Sequence, residues 1–222
     1  MADKYPSISP YNYCVWNPIK LVDSEGLTPR IYVETKDFGH AFVSVEVNGK
    51  LIVYTYGRYA GGDKNKSSFG SSDPTGMGVL VRLTGDAAQQ YINHKVKDNH
   101  ASTYEFCDAS DEKVMQYYDN LFSSGKKLDS YEASRYNNNS SNYGTSDDAR
   151  VIDQYFLLNN NCVTTSIKGI RKGGTKIRFT DPLGNCLMVF SPNGLKTYLE
   201  VMSFFSQSVK KIETPNACNG VN

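Results

Sequence analysis

Hydrophobic and polar positions divide the chain into short β-rich runs and a few helix-spaced segments. From Arg30 onward, strands are predicted over 31–35, 40–47, 51–56 and 79–83. Two of these runs flank Asn48-Gly49, the dipeptide that supplies both positive-φ positions of a tight hairpin turn. Ala87, Tyr91 and Ile92 fall at helical spacing and predict a helix over 86–96. Val114, Tyr117, Tyr118 and Leu121 predict a second helix, capped by Asp108 or Ser110. Tyr104–Cys107 is strand-like, and Val151–Leu158 leads into three asparagines at 159–161. A helix is predicted from Cys162 to Arg171, stopped by Gly173-Gly174. Cys186–Phe190 is a further strand, and Ser191-Pro192 opens a last helix reaching about Phe205. Residues 57–77 and 123–148 are polar and read as loops, and Asp181-Pro-Leu-Gly184 as a turn. The pattern predicts an α+β fold in which helices pack on a mostly antiparallel sheet, with the helix beginning at Cys162 lying against it.

Residues 1–29 differ from the rest. They are aromatic, and Pro10 and Pro18 argue against regular helix, so an extended, turn-rich arm is expected before a domain at 30–222. The length of 222 residues suits one domain with a short appendage.

Charge narrows the function classes. With 24 basic and 23 acidic residues the net charge is +1, which supplies no basic face for a nucleic-acid partner. No apolar run approaches the roughly 18 residues of a membrane span, and the N-terminus has no apolar stretch of the Sec-signal type. The five cysteines (Cys14, Cys107, Cys162, Cys186, Cys218) are scattered and contain no Cys-x-x-Cys pair, so neither a metal site nor a disulfide framework is expected. No cofactor is indicated.

Cys162 is the most informative residue. A cysteine that begins a helix places its sulfur among free N–H groups at the positive end of the helix dipole, which favours the thiolate. The competing reading is a buried cysteine packed as a small hydrophobe. A thiol nucleophile needs an imidazole within hydrogen-bond reach. His40 is the candidate, opening a strand directly after Gly39. His94 and His100 stand among polar residues and read as surface histidines. Arg58, beside a glycine-rich loop without the phosphate-loop pattern, is a candidate for binding a substrate carboxylate or phosphate.

Two stretches resemble known families. Asp3–Gly26, with Ser9-Pro-Tyr-x-Tyr-Cys14, Asn17-Pro18, Asp23 and Gly26, resembles the end of the Rhs/YD-repeat associated core, with Asp23-Ser24 where that family has Asp-Pro. In that family the pattern closes a large β-shell, and a variable domain, commonly a toxin, follows. The resemblance implies that residues 1–29 end such a core and that the remainder is a delivered effector. It implies synthesis in a bacterial cytoplasm and export by a specialised secretion system to act in a target cell. The parent chain's Rhs shell and a cognate immunity protein would be its partners.

Gly39-His40-Ala-Phe-Val-Ser-Val45, followed far downstream by Tyr155–Asn161, Cys162 and Val163-Thr-Thr-Ser166, resembles circularly permuted papain-like enzymes of the NlpC/P60 kind. That resemblance implies Cys162 as nucleophile and His40 as its base. It also implies a third residue on the next strand that orients the imidazole, with Tyr54, Thr55 and Tyr56 all open as candidates. Asn161, together with the Cys162 N–H, is the expected oxyanion donor. The implied function is a cysteine hydrolase of the peptidase or amidase type. Its expected substrate is an amide bond in peptidoglycan or protein, and the enzyme is expected to be monomeric. A lipid acyl hydrolase or acyltransferase on the same fold and a non-catalytic binding module are the alternatives. A nuclease is disfavoured by charge.

Overall fold

The protein was analysed as a computed structural model, which describes residues 28–36, 38–58, 75–139, 142–157, 160–179 and 191–212. The expected N-terminal arm and the strand expected at Cys186–Phe190 lie outside these residues, as does most of the 57–77 loop.

Among the described residues there are eight strands: β1 (Arg30–Glu34), β2 (His40–Val47), β3 (Lys50–Gly57), β4 (Thr75–Thr84), β5 (Ser102–Phe106), β6 (Lys126–Lys127), β7 (Ala149–Phe156) and β8 (Val209–Ile212). They form one sheet in the order β6–β7–β4–β3–β2–β1–β5–β8, antiparallel at every junction. Five helices accompany it: α1 (Asp86–Lys97), α2 (Asp111–Ser124), α3 (Ser130–Asn137), α4 (Cys162–Gly173) and α5 (Pro192–Phe205). The fold class is therefore α+β, as the hydrophobic pattern predicts.

Strand side chains alternate between faces, so one register fixes two cores. On the first face Val33, Ala41, Val43, Val45, Ile52, Tyr54 and Tyr56 pack with residues of α2, α4 and α5, among them Val114, Tyr118, Val163, Ile170, Leu195 and Leu199. On the second face Tyr32, Phe42, Val53, Val79 and Val81 pack with Ala88 and Tyr91 of α1 and Tyr136 of α3. The sheet is the middle of three layers. The hairpin joining β2 to β3 turns at Asn48 (φ 53°) and Gly49 (φ 69°) and pairs Val47 with Lys50, as Asn-Gly demands.

Several elements differ from expectation. Residues 123–148 are not a loop throughout. They supply β6 and α3, whose start carries a reciprocal cap: Asp129 Oδ1 accepts from the Glu132 N–H and Glu132 Oε2 accepts from the Asp129 N–H, each at 2.8 Å. Tyr136 of α3 is buried, and its hydroxyl donates to the Tyr143 carbonyl at 2.9 Å. Low-complexity composition concealed one capped, one-sided helix. β4 begins at Thr75, earlier than expected, and β8 is an additional edge strand pairing with β5. α5 runs from Pro192 to Phe205, as predicted. Among the described residues no helix is long and apolar enough to cross a membrane.

Candidate active site

Gly39 has φ 69°, a conformation that costs a side-chain-bearing residue dearly. A Cβ there would also stand 2.6 Å from the Glu34 carbonyl and 2.8 Å from Pro192 Cβ. Glycine thus lets the β1–β2 turn pack against the first residue of α5, and it delivers His40 as the opening residue of β2.

β2 continues its pairing with β1 as far as Glu34↔His40, but its pairing with β3 starts only at Phe42↔Thr55. Beyond that point β3 stays with β4 to Gly57↔Val79. The β2–β3 ladder therefore opens at His40 and Ala41. α4 packs on β2 and β3, and its first residue, Cys162, receives the Ala41 N–H at its sulfur. The thiol consequently lies beside the peptide that follows His40.

The start of α4 is built by two asparagines. Asn161 is the N-cap: its Oδ1 accepts from the Thr164 N–H at 3.0 Å, and Thr164 Oγ1 accepts from the Asn161 N–H at 2.9 Å. Asn161 Nδ2 donates to the Leu157 carbonyl at 2.5 Å. Asn160 bridges back to Phe156 through N–H···O bonds of 2.9 and 3.0 Å, and its Nδ2 donates to the Gln154 carbonyl at 2.7 Å. These bonds fold the chain leaving β7 into the turn that aims α4. The Asn161 side chain was expected as an oxyanion donor. It bonds within the cap and the turn, and the N–H groups of Cys162 and Val163 are turned toward the sulfur.

His40 reaches the opposite side of the sheet. Its Nε2 lies 2.7 Å from Thr55 Oγ1, and Thr55 Oγ1 lies 3.2 Å from the Tyr91 hydroxyl of α1. Of the three candidates for the orienting residue, Thr55 is the one recorded within hydrogen-bond distance of the imidazole. Tyr54 and Tyr56, the other two candidates, alternate onto the α4 face. Tyr54 donates to Asp119 Oδ1 at 2.8 Å, and Tyr56 donates to Asp153 Oδ1 at 2.5 Å while accepting from Asn160 Nδ2 at 3.3 Å. Cys162 and His40 therefore approach the open end of the β2–β3 ladder from two faces.

Burial governs the charge state of both groups. It pushes the Cys162 thiol up to about 11, with Glu34 adding to the rise, while the N–H groups of Ala41, Val163 and Cys162 pull the other way. The expectation that the helix start would lower the thiol pKa is thus reversed, because desolvation outweighs the helix end in a residue only 6% exposed. Burial, followed by the nearby Lys95 ammonium, lowers the His40 imidazole to about 3. The resting pair is a neutral thiol and a neutral imidazole.

Residues that sequence reasoning missed complete the surroundings. Lys95 Nζ donates to Glu34 Oε2 at 2.8 Å, next to His40. Tyr155 stacks on Tyr56 with ring centroids 5.7 Å apart. Burial and the nearby Cys162 raise the Tyr155 phenol to about 12, with Arg58 opposing. The Arg58 guanidinium sits 5.6 Å over the Tyr155 ring, which places this candidate binding residue against an aromatic neighbour rather than in open solvent. Asp153 also lines an open groove of about 780 Å³ with Gly76, Met77, Lys126, Glu132 and Gln154. His94 and His100 are on the surface, as read from their neighbours, with His94 bonded to Asp98 at 3.1 Å. Among the described residues no cluster of His, Cys, Asp or Glu is arranged to hold a metal.

Compared with protein-family models, with curated proteins and with solved structures, the chain gives no match. The functional reading therefore rests on the geometry of the site.

Proposed function

We propose that this domain is a cysteine hydrolase of the peptidase or amidase type, with Cys162 as nucleophile, His40 as general base and Thr55 as the residue that orients the imidazole. One observation carries the reading. The sulfur of a helix-opening cysteine receives the Ala41 N–H, next in the chain to a histidine whose Nε2 is fixed by Thr55. In this reading the imidazole held by Thr55 takes the thiol proton as the sulfur attacks. Attack of the sulfur on an acyl carbon would generate an oxyanion within reach of the N–H groups at the start of α4. The imidazolium so formed gives its proton to the leaving amine as the C–N bond breaks, and water, deprotonated by the same imidazole, then releases the acyl group from the sulfur. The substrate proposed is an amide bond in peptidoglycan or protein. In the same reading the domain is an effector carried at the end of an Rhs-type chain, with a cognate immunity protein as its inhibitor.

A second reading makes Cys162 an inert core residue of a binding module. Its 6% exposure and raised pKa favour that reading. One experiment separates them. Purified protein, Cys162→Ala and His40→Gln are incubated with isolated peptidoglycan, unfolded protein and phospholipid vesicles, and products are read by mass spectrometry. New amine ends formed by wild type alone support the proposal. Released fatty acid would move it to a lipid acyl hydrolase. The absence of any product would favour the binding module.

A further inference from the structure

The α1 side of His40 carries an ion pair that the hydrolase mechanism does not use. Lys95 Nζ and Glu34 Oε2 are 2.8 Å apart, with side chains only 19% and 10% exposed. Glu34 is the register partner of His40 across β1 and β2. Opposed residues on adjacent antiparallel strands have Cβ atoms about 5 Å apart. Lys95 is tied into the same cluster from α1, 5.8 Å from the Tyr91 ring centroid, and Tyr91 bonds the Thr55 that holds His40. The titratable groups gathered around the imidazole on the α1 face are thus Glu34 from β1 and Tyr91 and Lys95 from α1, while Cys162 of α4 lies beyond the Ala41 peptide on the other face.

We propose that Glu34 and Lys95 are a pair of positioning residues that set the proton affinity of His40, with Lys95 opposing protonation and Glu34 supporting it. This rests on the reading of His40 as the base. A carboxylate beside an imidazole favours the imidazolium, and an ammonium disfavours it. Bound to each other, the two nearly cancel, and Lys95 denies His40 the carboxylate it stands next to. Burial is the larger influence that keeps His40 unprotonated in mildly acid surroundings, where an ordinary histidine titrates near 6.5, and Lys95 adds to it.

The test is the protonation midpoint of His40 in the intact chain, followed by NMR of labelled histidine and assigned with His40→Gln. Lys95→Met should raise the midpoint by about one pH unit or more, a tenfold change in protonation. Glu34→Gln should give no upward shift. Lys95→Met also leaves a carboxylate without its partner, which can unfold the protein. The comparison of Glu34→Gln with Glu34→Gln/Lys95→Met avoids that, and the midpoint should again rise when the ammonium is removed. An unchanged midpoint in that comparison, in folded protein, would overturn the inference. The measurement uses resting protein, so it stands or falls separately from hydrolysis.

Discussion

The imidazole of His40 and the hydroxyl of Thr55 meet at 2.7 Å on the α1 face, diagonal to one another across β2 and β3. Of the three candidates that the sequence left open, Thr55 is the one that makes this contact. Replacing Thr55 with Val keeps its shape and removes the oxygen that both His40 and Tyr91 use. We expect Thr55→Val to cost about 1–2 kcal/mol of stability, the scale of buried polar partners left unbonded. Hydrolysis should fall by about 10–100-fold, the scale of losing a hydrogen bond that holds a reacting side chain in its orientation. Thr55→Ser should restore most of it. Chemical denaturation and turnover of the three proteins check this.

Stability should have two pH limits. His40 is lowered from 6.5 to about 3, so as pH falls below about 6.5 the unfolded chain takes up a proton that the folded chain refuses. Stability is complete above that value and declines across the window down to about 3. His40 retains some accessible surface, which makes this limb shallower than a wholly sealed imidazole would give. Cys162 is raised from 9.0 to about 11, so the unfolded chain loses a proton first, and stability declines from about 9 upward. Denaturation midpoints measured against pH should show a plateau between these limits. His40→Gln should flatten the acid limb, and Cys162→Ala the alkaline one.

Gly78 makes room for the Tyr56–Asp153 bond: a Cβ at that position would run into the Tyr56 hydroxyl and Asp153 Oδ1. Gly78→Ala should therefore destabilise by about 1–3 kcal/mol, the usual cost of overpacking. Because Tyr56 also receives the Asn160 amide, the turn before Cys162 should loosen. Faster amide exchange at residues 160–163 would be its signature, and unchanged exchange would sever the network from the site.

Much of this was legible in advance. The Asn48-Gly49 turn fixes the hairpin register, which places Gly57 opposite His40 by extension and Thr55 one diagonal step away on the same face. Period-two alternation alone then sends Tyr54 and Tyr56 to the other side, so Thr55 could have been chosen from the sequence. Cys162 at a helix start was equally readable from Asn161 and the following apolar positions. The ionisation of that cysteine was not. Helix-end stabilisation is local and visible in sequence, whereas desolvation depends on what covers the residue. α3 was hidden by polar composition, although Asp129-x-x-Glu132 is a capping-box pattern. Glu34 and Lys95 lie 61 positions apart, and only the fold brings them together.

Removing the Asn161 side chain tests whether the cap matters to the thiol. Asn161→Ala should cost about 1 kcal/mol from the lost cap. It should also reduce hydrolysis more than Asn160→Ala does, because Asn161 fixes the first turn of α4 directly. Equal losses in the two variants would mean that the turn, rather than the cap, positions the sulfur.

The central claim is that Cys162 forms the bond to substrate. The most direct measurement is growth of cells expressing the domain or its Cys162→Ala variant, with circular dichroism and denaturation establishing that both are folded. Loss of one buried sulfur should cost stability on the order of 1 kcal/mol, too little to unfold the domain. We predict that the wild-type domain arrests growth and that Cys162→Ala, at equal abundance, does not. A folded Cys162→Ala variant that is as toxic as wild type would contradict the account.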